Sequence, residues 1–261
     1  MTPIKVVIHG AAGRVGQEML NGLHRESDIQ VVGAVDIKAA KDTINFLDGS
    51  GGVPFSSDLE KILKTTKPDV VVDFSLAKAT IAAVPVITSH GINMVIGTTG
   101  LSPTDIEGIK HQADQHRVGI VLASNYALGA VLMIHLAKIV SKYLDYAEIT
   151  ELHHNTKADA PSGTALTTAR AMVQSKGKPF NRDSGQFPSR GQNVDGVTIH
   201  SVRLPGMMAH QEVLFGASGQ TLSIRHDTIN RECYLPGVVI AVKEVIKRKG
   251  LTNGLDVLLN L

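Results

Sequence analysis

Ile4-Lys5-Val6-Val7-Ile8-His9-Gly10-Ala11-Ala12-Gly13-Arg14-Val15-Gly16 is a β-rich run that ends in a glycine turn. A helix-like segment follows over residues 15–23, and a second apolar strand over 29–35 ends at Asp36. Strand, glycine turn, helix, strand and acid form the order of a dinucleotide-binding unit, and Asp36 lies twenty residues after Gly16 (36 − 16), as that unit requires. Gly10 permits the tight turn, Gly13 lets the backbone approach a pyrophosphate, and Gly16 lets helix and sheet pack closely. The spacing is G-x-x-G-x-x-G in place of G-x-G-x-x-G, so the strand–helix context carries the assignment. A plain glycine turn in an α/β protein is the bland alternative. Residues 10–15 (Gly10, Ala11, Ala12, Gly13, Arg14 and Val15) are the expected phosphate contacts. Asp36 would accept hydrogen bonds from an adenosine ribose and repel a 2′-phosphate, which leans the choice toward NADH over NADPH. Lys38 stands close enough to offset part of that repulsion.

The alternation continues downstream. Helices are predicted over 58–64, 77–90 (broken at Pro85) and 103–115, with strands over 69–74, 93–96 and 118–122. In open parallel sheets, ligands sit beyond the carboxyl ends of the strands. Gly97-Thr98-Thr99 and Ala123-Ser124-Asn125-Tyr126 fall there, as do Gly10 and Asp36, so these loops are read as one cofactor surface.

After Asn125 the pattern changes. A long amphipathic helix is expected over 128–144 and a strand over 147–152. Residues 175–196, rich in Gly, Ser, Pro, Asn and charge, read as a long excursion or mobile loop. Strands over 196–204, 211–216 and 220–226 have short connections that imply antiparallel pairing and a second, α+β domain. A helix over 237–249 carries the apolar stripe of a sheet-covering helix and is expected to rejoin the first domain. Two connections would then serve as hinges. Residues 255–259 read as a final strand. The fold expected is thus α/β: a Rossmann-type domain over 1–127 and 237–261, and an α+β domain with a mainly antiparallel sheet over 128–236.

Composition narrows the class. The 261 residues include 43% hydrophobic ones, and 26 basic against 24 acidic side chains give a net charge of +2, which does not argue for nucleic acid. No apolar run approaches the roughly 18–20 residues of a membrane span. Cys233 is the only cysteine, so neither an internal disulfide nor a multi-cysteine metal site can form. A cytoplasmic protein is expected.

The chemistry concentrates in Glu151-Leu152-His153-His154-Asn155-Thr156-Lys157-Ala158-Asp159-Ala160-Pro161-Ser162-Gly163-Thr164-Ala165. This stretch runs from a strand into a helix predicted over 164–174. A proton donor, a cation and backbone N–H groups at a helix N-terminus together suit binding and protonation of a small carboxylate. One residue at a time, each is ordinary: single histidines are usually satisfied residues, and Asp159 and Ser162 are good caps.

The stretch resembles the signature E-x-H-H-x-x-K-x-D-A-P-S-G-T-A of the 4-hydroxy-tetrahydrodipicolinate reductase family, formerly called dihydrodipicolinate reductases. Gly10 to Gly16, Gly97-Thr98-Thr99-Gly100, residues 123–126, Val202-Arg203 and His226 with Arg231 add to the likeness. It implies NAD(P)H-dependent reduction of a cyclic unsaturated dicarboxylate, with loss of water, in lysine (diaminopimelate) biosynthesis. By the same resemblance His153 is the proton donor and acceptor, and Lys157 is a second proton donor and charge stabiliser. His154, Gly163 and Thr164 would hold substrate carboxylate, and the protein would be a homotetramer acting without nucleic acid or membrane. Asp159 is read as a turn former.

Two rival readings share parts of this pattern. A dehydrogenase of another small dicarboxylate shares every cofactor argument. A dinucleotide-sensing regulator would not need His-His-x-x-Lys beside an anion nest. A metal hydrolase on His153, His154 and Asp159 fits poorly, since adjacent strand residues point to opposite faces, and no metal site is expected.

Overall fold

The first strand, β1 (Ile4–His9), buries Val6, Val7 and Ile8 completely, as a strand covered on both faces must. The computed structural model describes residues 2–181 and 188–261. The chain divides into two units, Met1–Ala127 with Arg231–Leu261, and Leu128–Asn230.

In the first unit, β1 leads through α1 (Arg14–His24) to β2 (Ile29–Val35). A short hairpin follows, β3 (Thr43–Asn45) and β4 (Gly52–Ser56). Then come α2 (Leu59–Thr66), β5 (Val70–Asp73), α3 (Ala77–Ser89), β6 (Asn93–Ile96), α4 (Pro103–His116) and β7 (Gly119–Leu122). Asp58 caps α2 by accepting from the Lys61 N–H, and Ser102 with Asp105 forms a reciprocal capping box on α4.

The second unit contains α5 (Leu128–Val140), β8 (Tyr146–His153), α6 (Gly163–Lys176), β9 (Gln192–Val194), β10 (Val197–Arg203), β11 (Ala209–Ala217) and β12 (Gln220–Thr228). The chain then returns to the first unit for α7 (Leu235–Val245), β13 (Gly250–Asn253) and α8 (Leu255–Leu259).

The first sheet has the order β13-β7-β6-β5-β1-β2-β4-β3 and is parallel except for β3 against β4. The change of winding direction at β1 puts the glycine turn at a topological switch point, where open α/β sheets bind ligands. The second sheet has the order β12-β11-β8-β10-β9. Met133 and Ala137 of α5 and Ala165, Ala169 and Met172 of α6 pack on Ile149, Ile199, Val213 and Phe215 of its inner face.

Several expectations need correction. Pro85 does not break α3: it sits on the exposed side while Ala83, Val84 and Ile87 are buried. That burial outweighs a loss of about 3 kcal/mol for an interior proline. The helix expected to 144 ends at Val140, and the Lys176 ammonium donates to the carbonyls of Ser141 and Leu144 just beyond it. Strands β10 and β11 are sequence neighbours but do not pair; β8 lies between them, parallel to β10 and antiparallel to β11. Of the excursion over 175–196, residues 192–194 form an edge strand on β10, whereas 182–187 lie outside the described residues.

The chain rejoins the first unit at Arg231, six residues before the expected 237 (237 − 231), because the 3-10 turn Arg231–Tyr234 packs on α1 and α7. Residues 255–259 are helical: Leu255 and Leu258 are the buried pair, at i,i+3 spacing, and the last strand is β13.

Candidate active site

All the cofactor candidates stand beyond the carboxyl ends of parallel strands in the first unit. Residues 10–13 form the β1–α1 turn, with Gly10 at φ +81°, Arg14 and Val15 open α1, and a Cβ on Gly16 would collide with the Gly10 carbonyl. Gly13 is the N-cap of α1 and offers no side-chain cap, which leaves the first-turn N–H groups to an outside acceptor. Asp36 takes the Ala12 N–H on Oδ2 and the Lys38 N–H on Oδ1, both at 2.9 Å, so its carboxylate is fixed between the turn and its own loop.

The Gly97-Thr98-Thr99 loop is pressed against Phe74, whose ring occupies the space a Cβ on Gly97 would need. Thr98 is buried and donates to Asp73 Oδ1 at 3.5 Å, and the Ser75 N–H donates to the same oxygen at 2.9 Å. Burial pushes the Asp73 carboxyl up, but His9 at 3.2 Å, with Ser75 and Thr80, more than offsets it and keeps it below the usual range. Asp73 therefore supports two strand-end loops. Of residues 123–126, Ala123 is buried and Asn125 accepts from the Ala127 N–H. Tyr126 turns inward: it is 1% exposed, its hydroxyl donates to the carbonyls of Ile96 and Val121, and burial raises the phenol. Its side chain belongs to the core, leaving only its backbone to the loop.

The second unit carries the histidine stretch. Residues two apart on a strand share a face, so Glu151 and His153 both project from the inner face of β8. Ser201 and Arg203 of β10 stand opposite them in register. Glu151 is fully buried. Its Oε2 lies 2.5 Å from His153 Nδ1. Arg203 Nη2 donates to Oε1 at 2.8 Å and Nη1 to Oε2 at 3.0 Å. Burial pushes this carboxyl up, but Arg203, Ser201 and His153 outweigh it and hold it below its ordinary value. Burial is also the largest influence on His153 and lowers it; Glu151 pulls it back up, and Lys157 and Arg203 lower it further.

Beyond β8, Lys157 Nζ pairs with Asp159 Oδ1 at 2.6 Å. Ser162 caps α6, accepting from the Ala165 N–H at 3.2 Å, while its own N–H donates to Glu151 Oε1 at 3.3 Å. Arg203 Nη2 also donates to the Asp159 carbonyl at 2.6 Å. Gly163, the first residue of α6, has open space where a Cβ would stand. Thr164 follows it in the same turn. His154, past the end of the strand, is exposed and shares a 2.7 Å hydrogen bond with Thr156 Oγ1. The structure thus ties His153 to the Ser162 cap through one carboxylate, and leaves His154 outside that network.

Sequence alone assigns no role to Glu151 or Arg203. The E-x-H spacing held part of the signal, because it puts an acid and an imidazole on one strand face. Arg203 lies fifty residues on, and only strand register brings it there. Among the described residues no cluster of three or more His, Cys, Asp or Glu could hold a metal ion, and no helix is long and apolar enough to cross a membrane.

A glycine-turn dinucleotide domain joined to a sheet that carries an acid–imidazole–arginine cluster defines a two-unit nicotinamide-dependent oxidoreductase. The family models "Dihydrodipicolinate reductase, N-terminus" and "Dihydrodipicolinate reductase, C-terminus" match residues 4–126 and 129–259. The chain belongs to the dihydrodipicolinate reductase family, whose members are named 4-hydroxy-tetrahydrodipicolinate reductase. One such relative, from Dehalococcoides mccartyi, is 53% identical over 263 residues, 100% of each chain. Another, from Moorella thermoacetica, is 44% identical over 98% of each. A dipicolinate-bound dihydrodipicolinate reductase from Paenisporosarcina sp. TG-14 superposes with a TM-score of 0.86 at 34% identity, covering 98% of this chain and 99% of that one. An amine dehydrogenase from Mycobacterium smegmatis, at 16% identity and TM-score 0.66, shares the fold alone.

Proposed function

We propose that the chain reduces 4-hydroxy-tetrahydrodipicolinate to tetrahydrodipicolinate in lysine biosynthesis, with His153 as the proton donor. The observation that carries this reading is the Glu151–His153–Arg203 cluster, which the Ser162 N–H joins at Glu151 Oε1. It sets a proton-bearing imidazole and a helix N-terminus on one framework. The solved relative from Paenisporosarcina holds dipicolinate, a cyclic dicarboxylate of the expected kind.

The cofactor is NADH or NADPH, held by residues 10–15, Asp36, Gly97-Thr98-Thr99 and the backbone of 123–126. The uncapped first turn of α1 and the close-packed glycines fit a pyrophosphate. When bound, the reduced nicotinamide supplies a hydride. The chain supplies the rest of the balance: one proton goes to the reduced ring, and the substrate's hydroxyl leaves as water together with a hydrogen from its own neighbouring ring carbon. Addition of hydride leaves negative charge on the conjugated ring, which His153 Nε2 relieves by giving up its proton. The Lys157 ammonium stabilises that charge and serves as a second donor. The N–H groups of Gly163 and Thr164 hold a substrate carboxylate, and His154 is a further carboxylate-binding residue in this reading. Asp36 repels a 2′-phosphate, so NADH is used at least as well as NADPH.

A homotetramer through the second unit is part of the same reading. The open face of its sheet exposes Tyr146 and Leu214, apolar groups suited to a self-contact. Oxidation of NADH and of NADPH with enzymatically generated substrate, against a no-substrate control, tests the reaction. Turnover that does not depend on this substrate would refute it.

A further inference from the structure

We infer that Glu151 is a positioning residue for the proton transfer: its buried carboxylate fixes the proton on His153 Nδ1, so that Nε2 alone delivers to the substrate. The inference rests on the reading of His153 as the proton donor. Arg203 grips both oxygens of Glu151, and the carboxyl is held in its ionised form. An ionised carboxylate only accepts hydrogen bonds. At 2.5 Å the partner atom, His153 Nδ1, must therefore carry hydrogen whether the ring is neutral or charged. That leaves Nε2 as the nitrogen that gains and loses a proton.

The same carboxylate counters the local loss of basicity. Burial, Lys157 and Arg203 all disfavour the imidazolium, and Glu151 is the group that favours it. On the other side, β11 sets Ala209 against His153 and Gln211 against Glu151, while the neighbouring His210 is engaged with Asp227. Glu151 also accepts from the Ser162 N–H, and its partner Arg203 holds the Asp159 carbonyl. Both ends of the turn that precedes Gly163 are therefore referenced to the carboxylate that orients the acid. Displacement of Glu151 would therefore disturb the proton donor and the proposed carboxylate cradle together.

The test combines a variant with a spectrum of the unaltered protein. In Glu151→Gln, removal of the charge lets the His153 pKa fall further. The pH above which kcat declines should move acidic by about 1–3 units, as expected for loss of an adjacent opposite charge. Activity should return on acidification, while the NADH Kd stays unchanged. Glu151→Asp, which keeps the charge, should recover part of the shift. In the wild-type protein, ¹⁵N spectra assigned with His153→Ala should show neutral His153 as the Nδ1–H tautomer. An unshifted profile in folded Glu151→Gln overturns the inference. So does an Nε2–H tautomer in the wild type, which decides the matter even when Glu151→Gln does not fold. Undiminished turnover in His153→Ala would instead remove the reading of His153 on which the inference stands.

Discussion

Lys157 Nζ lies 2.6 Å from Asp159 Oδ1, so the cation proposed to face the substrate shares an ion pair with a carboxylate of its own loop. Lys157 lowers the Asp159 carboxyl most strongly, and the Gly163 backbone N–H also contributes. Asp159 thus meets two of the groups proposed to face substrate. The aspartate is more than half exposed, and screened pairs of this kind are worth about 0.2–1 kcal/mol. Asp159→Asn should lower the substrate KM, by no more than about fivefold on that scale. A large rise in KM would make Asp159 part of the binding surface instead.

The Glu151–Arg203 pair gives a stability test. Arg203→Ala leaves a buried carboxylate without its partner, which typically costs about 3–5 kcal/mol at neutral pH. The Glu151 carboxyl of the wild type is depressed in the fold. Its contribution is therefore complete above the unfolded value of 4.5 and is lost as pH falls through the folded pKa. Without Arg203, burial pushes that carboxyl up and it takes a proton sooner. Urea denaturation should accordingly show a gap between wild type and variant that is wide at pH 7 and narrower in acid. A gap independent of pH would mean that packing, not charge, holds the arginine.

Two glycines should behave oppositely. A Cβ on Gly16 strikes the Gly10 carbonyl, whereas a Cβ on Gly163 meets nothing within 4 Å. Gly16→Ala should therefore weaken the first unit and NADH binding together. Gly163→Val should leave melting and the NADH Kd unchanged while raising the substrate KM sharply. Pyridine-2,6-dicarboxylate should compete with substrate in the wild type and far less in Gly163→Val. Normal substrate binding by that variant would assign the α6 N-terminus to something else.

Asp36 should set the cofactor balance. Its oxygens are held by the Ala12 and Lys38 backbone N–H groups, so the charge is fixed at the end of β2. Asp36→Ala should raise kcat/KM for NADPH relative to NADH, and Lys38→Ala should move the ratio the other way. A strong NADPH preference that survives Lys38→Ala would contradict the role given to this loop.

The parallel half was legible because its information is local. Fully buried strands read as apolar runs, and the glycines with Asp36 fall at set distances along the chain. The short strands over 43–45 and 52–56 are not legible in the sequence, since three to five residues carry too little periodicity. Residues 255–259 misled because an apolar run so short fits a strand as well as a helix. Insertion of β8 between β10 and β11 could not be inferred from connection length, which says nothing of a strand contributed from fifty residues earlier. For that reason the histidine stretch was found while Arg203 and the work of Glu151 were not. Both depend on register across strands.

The most direct test is turnover of His153→Ala with enzymatically generated substrate, with the NADH Kd measured alongside. Removal of a positioned proton donor should lower kcat by about 10²–10⁴-fold and leave the NADH Kd unchanged, because the cofactor surface proposed here lies in the first unit and His153 in the second. Near-normal turnover, or a loss confined to NADH binding, would contradict the assignment of His153 as the proton donor.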